Sequence, residues 1–126
     1  MSYKPFGYML MLDASGCVGN ITCKDHIQNF INNLVELMEM KKKGETIFEY
    51  FEDNEYNRER DIVGYSVVQI ISLSNITIHI NEISKTIYLD IFTCGLLDET
   101  KISILSCDYF KPNKLKKNML LRDAPK

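Results

Sequence analysis

The chain has 126 residues, of which 45% are hydrophobic and 25% charged, and its formal net charge is −2. These values predict one soluble globular domain, residues 1–126, with a single core. The weak negative charge gives no reason to expect binding to nucleic acid or to a membrane surface, and no apolar run is long enough to span a bilayer. The first residues also lack the pattern of a secretory signal, so we expect a cytoplasmic protein.

Cysteine and histidine usage argues against a metal site. The chain has four cysteines and two histidines, and no two cysteines have the C-x-x-C spacing. We therefore predict no bound metal and, in a reducing compartment, free thiols. The cysteines are Cys17, Cys23, Cys94 and Cys107.

The first half of the chain predicts a strand, a long helix and a second strand. Residues 7–13 favour a strand that ends in a loop. Thr22 is a candidate N-cap for the helix that follows, and Gly44 is a candidate stop after a lysine run. Residues 46–51 then favour a strand. The helix carries one apolar stripe at i, i+3, i+4 spacing, formed by Ile27, Phe30, Ile31, Leu34 and Met38.

The second half predicts mostly strands. Residues 52–61 are charged and turn-rich, which indicates an exposed loop. Three strands follow, at 62–73, 75–81 and 85–94, then a helix at 98–110 and a closing strand at 116–122. The order β-α-β-β-β-β-α-β with short turns predicts an α+β fold. We expect a two-layer sandwich in which two helices pack on one face of an antiparallel sheet.

Side-chain alternation divides the two faces of this sheet. Ile76, Ile78 and Ile80 point to one side, and the same holds for Ile87, Leu89 and Ile91 on the next strand. Helices should cover this apolar side. His79 and Cys94 then lie on the opposite side, which we expect to be exposed or to meet a second copy of the chain.

Four residues on these strands stand out as candidates for chemistry. Each alone is more often structural, because serine is common at turns and strand histidines and cysteines commonly serve packing. The four are Ser66, Ser74, His79 and Cys94.

Taken together, these residues resemble the bacterial S-adenosylmethionine decarboxylase proenzymes. The segments "GYSVVQIISLSNITIHI" and "YLDIFTCG" are similar to that family's G-x-S strand, its E-S-H-L-S-I-H turn and its D-V-F-T-C-G strand. Ser66 lies eight residues before Ser74, His79 five after it and Cys94 twenty after it, as in the family. "LDASGC" resembles the family's first strand.

The resemblance implies a self-cleaving enzyme. The hydroxyl of Ser74 would attack the carbonyl of Leu73, and elimination and hydrolysis would leave a pyruvoyl cofactor at position 74, with no metal. Ser66 would help to stabilise the oxyanion, and His79 would serve the proton transfers of processing. The pyruvoyl carbonyl would form a Schiff base with S-adenosylmethionine, and Cys94 would reprotonate the carbon that has lost carbon dioxide. The decarboxylated product would serve spermidine synthesis.

The resemblance also implies partners and leaves alternatives. It implies a homodimer with its sites at the protomer boundary, and it places the substrate near Glu82, Phe51 and Phe92. Leu73 replaces the family's glutamate, and "INEI" replaces its T-W-P-E. These departures leave two further readings: a homologue that binds S-adenosylmethionine without cleaving itself, and a pyruvoyl decarboxylase of arginine or ornithine.

Overall fold

The fold is a six-stranded antiparallel sheet with the order β2-β3-β4-β5-β1-β6, seen in a computed structural model that describes residues 4–126. The helices are α1 (Lys24–Leu37), α2 (Glu55–Glu59) and α3 (Glu99–Phe110). Within that span, no helix has both the length and the apolar character that crossing a membrane requires. The strands are β1 (Gly7–Ser15), β2 (Ile47–Phe51), β3 (Gly64–Ile71), β4 (Ser74–Asn81), β5 (Thr86–Thr93) and β6 (Lys114–Arg122).

The core lies between one face of the sheet and the two longer helices. α1 and α3 contact each other, and their buried residues join those of the central strands in one cluster. Ile76, Ile78 and Ile80 are at most 1% exposed, and each such side chain contributes about 1.5–3 kcal/mol. The predicted α+β layout and the predicted apolar stripe of α1 are therefore confirmed.

Both predicted ends of α1 are wrong. The helix begins at Lys24 after Cys23, which makes no side-chain cap hydrogen bond, so Thr22 is not the N-cap. It ends at Leu37, well before Gly44. The lysine run instead pairs with β3, where the Lys43 amide donates to the Ile70 carbonyl at 2.9 Å. Pairing with the sheet therefore outweighs the helical preference of the lysine run.

The segment predicted as an exposed loop contains the short helix α2. Asn54 caps it by accepting from the Asn57 amide at 2.8 Å, and Asp53 forms an ion pair with Arg58. The Asn57 side chain is buried and donates to the carbonyl of Glu52 at 2.9 Å. Local capping therefore orders a stretch whose charge alone indicated a loop.

The β3–β4 hairpin turns through only two residues, Ser72 and Leu73, because Ile71 is already paired with Ser74. The hairpin's register places Ser66 directly opposite His79. Gly64 opens β3 with φ 137°, and an added Cβ would lie 2.2 Å from the Ile80 carbonyl oxygen. Only glycine permits so close an approach, so it helps to fix where β3 meets β4.

Candidate active site

The sheet face turned away from α1 and α3, here called the outer face, carries the polar residues of the central strands. His79 and Cys94 are exposed there, as the alternation predicts. Tyr88 is 45% exposed, and Asp90 and Phe92 are half-buried. No part of the described chain covers this face as the helices cover the other.

Ser66 and His79 form the first group on the outer face. Ser66 Oγ lies 3.0 Å from His79 Nδ1, within hydrogen-bond distance. Both line a cavity of about 420 Å³ together with Phe51 and Tyr88. A hydroxyl bonded to an imidazole in an open cavity can move a proton to or from a group that enters it. Phe51 thus lies where a substrate-contacting residue is predicted.

Leu73, Ser74 and Cys94 form the second group, at the tip of the β3–β4 hairpin. The carbonyl oxygen of Leu73 accepts two hydrogen bonds from Cys94, one from its amide at 3.0 Å and one from its thiol at 3.3 Å. Two donors on one carbonyl oxygen polarise it, and they would stabilise negative charge that develops on that oxygen. This carbonyl belongs to the residue directly before Ser74.

The Ser74 hydroxyl is held on the helix side of the sheet. It donates a short hydrogen bond to Thr93 Oγ1 and lies 3.2 Å from Met40 Sδ. Gly95 keeps this site compact, because an added Cβ would lie 2.7 Å from Met40 Cε and 3.1 Å from Leu73 Cδ1. Attack of Ser74 on the Leu73 carbonyl requires release of the bond to Thr93.

The two groups do not meet within one chain. Ser74 and His79 are five residues apart on β4, which corresponds to about 16 Å along a strand. Cys94 lies beyond the Thr93–Ser74 pair, at the Ser74 end of the sheet. The four residues singled out from the sequence therefore form two half-sites at opposite ends of β4.

An aromatic cluster lies beside the second half-site. The rings of Phe6 and Phe92 stack with centroids 6.3 Å apart and an interplanar angle of 22°. The Arg122 guanidinium sits 5.0 Å from the centroid of Phe92. They line a cavity of about 490 Å³. A stacked pair with an open edge suits a flat heteroaromatic ring.

Glu82 lies outside the cavity of Ser66 and His79. Its carboxylate accepts a hydrogen bond of 3.1 Å from the Tyr50 hydroxyl. The structure therefore brings Phe51 and Phe92 to the half-sites but not Glu82, whose role in substrate binding stays a prediction.

Asp90 and Cys17 have raised pKa values. Burial raises the pKa of Asp90, the charge of Asp13 raises it further, and His79 partly opposes both effects. Burial also raises the pKa of the Cys17 thiol to about 11, with Cys107 contributing. Cys17 therefore stays a protonated core thiol. Among residues 4–126, no three His, Cys, Asp or Glu side chains are grouped to hold a metal ion.

Comparison with known proteins identifies the family. The sequence model described as S-adenosylmethionine decarboxylase matches residues 8–123. The chain belongs to the S-adenosylmethionine decarboxylase family. No curated protein sequence matches it. The adenosylmethionine decarboxylase of Aquifex aeolicus has a similar structure, with a TM-score of 0.76 and 18% identity over 98% of this chain and 96% of that one.

The match to the S-adenosylmethionine decarboxylase family spans both half-sites, so the resemblance seen in the sequence is confirmed at the level of the family. That family consists of carboxy-lyases. The similarity to the Aquifex protein, at this low identity, concerns the fold.

Sequence reasoning missed two residues beside the second half-site. Phe6 and Arg122 lie far from Phe92 in sequence and reach it because β1 is paired with both β5 and β6. Only the strand order could have shown these contacts.

Proposed function

We propose that the chain is a self-processing, pyruvoyl-dependent decarboxylase of S-adenosylmethionine that supplies the aminopropyl donor for spermidine synthesis. Besides family membership, one observation carries the proposal. The Leu73 carbonyl, directly before Ser74, is held by two donors from Cys94. A mass measurement of the intact purified protein tests it, because cleavage at Leu73–Ser74 replaces one chain with two.

Self-cleavage begins at the Leu73–Ser74 peptide bond. Ser74 Oγ attacks the Leu73 carbonyl carbon, and the two Cys94 donors stabilise the oxyanion. The C–N bond breaks to give an ester, as an imidazole moves the hydroxyl proton to the departing nitrogen. Loss of the Ser74 α-proton then expels the Leu73 carboxylate and leaves dehydroalanine. Its imine tautomer takes up water and releases ammonia.

The residues around position 74 fit the group that this sequence of steps leaves there. A pyruvoyl carbonyl supplies an electron sink for loss of carbon dioxide from an α-amino acid. Phe6 and Phe92 offer their stacked rings to the adenine of the substrate. The Cys94 thiol, close to position 74, delivers a proton to the product carbon. A thiol suits this role, because its ordinary pKa is about 8.5, near working pH.

A homodimer completes the site. Ser66 and His79 lie about 16 Å from Ser74 within one chain, so their action on the Leu73–Ser74 bond requires a second copy. A two-fold axis between two outer faces would put the first half-site of one protomer against the second half-site of the other. The symmetry would create two such composite sites in each dimer. We expect sedimentation at micromolar concentration to show a dimer, and a monomer would contradict this arrangement.

Replacement of Cys94 should separate processing from turnover. Cys94→Ser retains the backbone amide and a side-chain donor near the Leu73 carbonyl, so we expect cleavage to continue largely unchanged. Decarboxylation should fall roughly 10²–10⁴-fold, because a hydroxyl is a much weaker acid than a thiol. Release of carbon dioxide from carboxyl-labelled S-adenosylmethionine measures turnover, and denaturing electrophoresis measures cleavage.

The other cysteines provide controls for this experiment. Cys23→Ser and Cys107→Ser change thiols outside both half-sites and should retain the parent rate. Cys17 is a poorer control because it is buried. A Cys94→Ser protein with parent activity would show that another group supplies the proton.

A member of the family that binds S-adenosylmethionine without cleaving itself is the second candidate. Leu73, which replaces the family's glutamate, favours it. The side chain is 51% exposed, so the substitution is not demanded by the core. Binding of S-adenosylmethionine by a chain that stays intact would support this candidate. Assays with arginine and ornithine test the remaining alternative, a pyruvoyl decarboxylase of one of those amino acids.

A further inference from the structure

The end of β5 contacts both reacting groups of the proposed cleavage. Thr93 Oγ1 accepts the hydrogen bond from the Ser74 hydroxyl, and Cys94 donates two hydrogen bonds to the Leu73 carbonyl oxygen. The sheet register produces this arrangement, because Ser74 on β4 lies directly opposite Thr93 on β5. Two consecutive residues of β5 and its end therefore orient the nucleophile and the carbonyl that it would attack.

The hydrogen bond between Ser74 and Thr93 lies in a closely packed environment. Thr93 is 0% exposed, and Ser74 is half-buried. Met40, which packs against the hydrophobic core, places its Sδ 3.2 Å from Ser74 Oγ. A hydrogen bond in such surroundings is stronger than one at the surface, because the local dielectric constant is low.

This bond directs the Ser74 proton at a group that cannot remove it. A hydroxyl is a very weak base, and Thr93 Oγ1 already accepts a second hydrogen bond, of 2.9 Å, from the Gly95 amide. The thioether of Met40 is likewise a weak acceptor. Across residues 4–126 the Thr93 side chain accepts these two hydrogen bonds and donates none. It therefore has no group to which it could pass a proton onward.

The bond to Thr93 competes with proton transfer to an imidazole. The base of the first half-site is His79, which lies about 16 Å from Ser74 within one chain. One hydroxyl proton cannot point to Thr93 and to an imidazole at the same time, so transfer begins only when the Ser74 hydroxyl turns away from Thr93. An interaction that is present in the starting state and absent from the transition state slows the reaction.

We propose that Thr93 is a latch on self-cleavage, which holds the Ser74 hydroxyl in an unreactive orientation until His79 of a second copy of the chain takes the proton. This inference rests on the proposed function and adds to it a residue that restrains the chain before two copies assemble. Thr93 is a positioning residue, because it acts through Ser74 and forms no bond to the reacting carbon.

The rate of cleavage in newly made chains tests the latch. Cell-free synthesis of the full chain with a short pulse of labelled methionine, followed by denaturing electrophoresis at intervals, records chains before they are cut. We expect Thr93→Val, which keeps the shape but loses the hydroxyl, to cleave roughly 2–10-fold faster than the parent, the factor that corresponds to one hydrogen bond. Thr93→Ser, which keeps the hydroxyl, should cleave at close to the parent rate.

Two further variants separate loss of the hydroxyl from disturbance of β5. Thr86→Val makes the same substitution at the other end of β5, where Thr86 Oγ1 accepts a hydrogen bond of 3.0 Å from Asn81 Nδ2, and it should cleave at the parent rate. Thr93→Ala also lacks the hydroxyl but differs from valine in shape, so it should be faster too, and it decides the result if Thr93→Val does not fold. Folded hydroxyl-free variants that cleave no faster than the parent would overturn the proposal, as would an equal gain in Thr86→Val.

Unfolding by urea supplies a readout that does not depend on cleavage. Four chains that all carry His79→Ala, which we expect to keep them uncut, form a double-mutant cycle of Ser74→Ala with Thr93→Val. Each substitution removes the same hydrogen bond, so the double variant should lose less stability than the sum of the two single losses. Strictly additive losses would mean that the two side chains are not bonded, and the latch would then be wrong.

The parent chain distinguishes failure of the latch from failure of the proposed function. If the parent cleaves and Thr93→Val is no faster, the latch alone is wrong. If the parent stays uncut, the proposed function is contradicted for the parent. Cleavage that then appears in Thr93→Val would support the latch, whereas a Thr93→Val chain that also stays uncut would overturn both.

Discussion

Purified protein is expected to separate under denaturing conditions into two chains, residues 1–73 and residues 74–126, whereas Ser74→Ala should give a single chain of about 14.6 kDa. The reason is that alanine removes the hydroxyl that would attack the Leu73 carbonyl, which Cys94 polarises. The effect is all-or-none. Intact mass spectrometry measures it, and chemical sequencing should find the second chain blocked at its N-terminus.

Ser72 supplies the matched control for cleavage. It lies two residues before Ser74, in the turn itself, and its hydroxyl is hydrogen-bonded to the backbone of Lys41. Ser72→Ala should therefore cleave at close to the parent rate. Parent protein that keeps its full mass after prolonged incubation would contradict the proposal. Leu73→Glu in that case tests whether this one departure from the family prevents cleavage.

Two inactive chains are expected to restore cleavage when they assemble together. Ser74→Ala retains Ser66 and His79 but lacks the nucleophile, whereas His79→Ala retains Ser74 but lacks the imidazole. In a mixed dimer, one of the two composite sites is complete, so the His79→Ala chain is cut. With random pairing, about half of the His79→Ala chains enter mixed dimers and are cleaved.

Co-expression with two distinguishable tags measures this complementation. Each variant expressed alone should stay uncut. A pair of His79→Ala and Ser66→Ala is the control, because every composite site then lacks one member of the Ser66–His79 pair. Cleavage of the His79→Ala chain without a partner would show that His79 is dispensable. Failure of the mixed pair, with assembly confirmed, would contradict a site shared between protomers.

The layers of the fold and the faces of its strands could be predicted from local pattern. Alternation on β4 and β5 separated the core isoleucines from His79 and Cys94 because successive side chains on a strand point to opposite sides. The boundaries of α1 could not be predicted, since the lysine run after Leu37 pairs with β3 rather than continuing the helix. Backbone pairing of this kind depends on a distant segment.

For the site, the sequence by itself determined the family and the spacing of four candidate chemical groups, because spacing along the chain is a property of the chain alone. Only the tertiary structure decided how these groups are arranged. Strand register sets Ser66 against His79 and Cys94 against Leu73, and it keeps the two pairs at opposite ends of β4. It likewise brings Phe6 and Arg122 to Phe92, because hydrogen bonds between strands join residues that no local pattern connects.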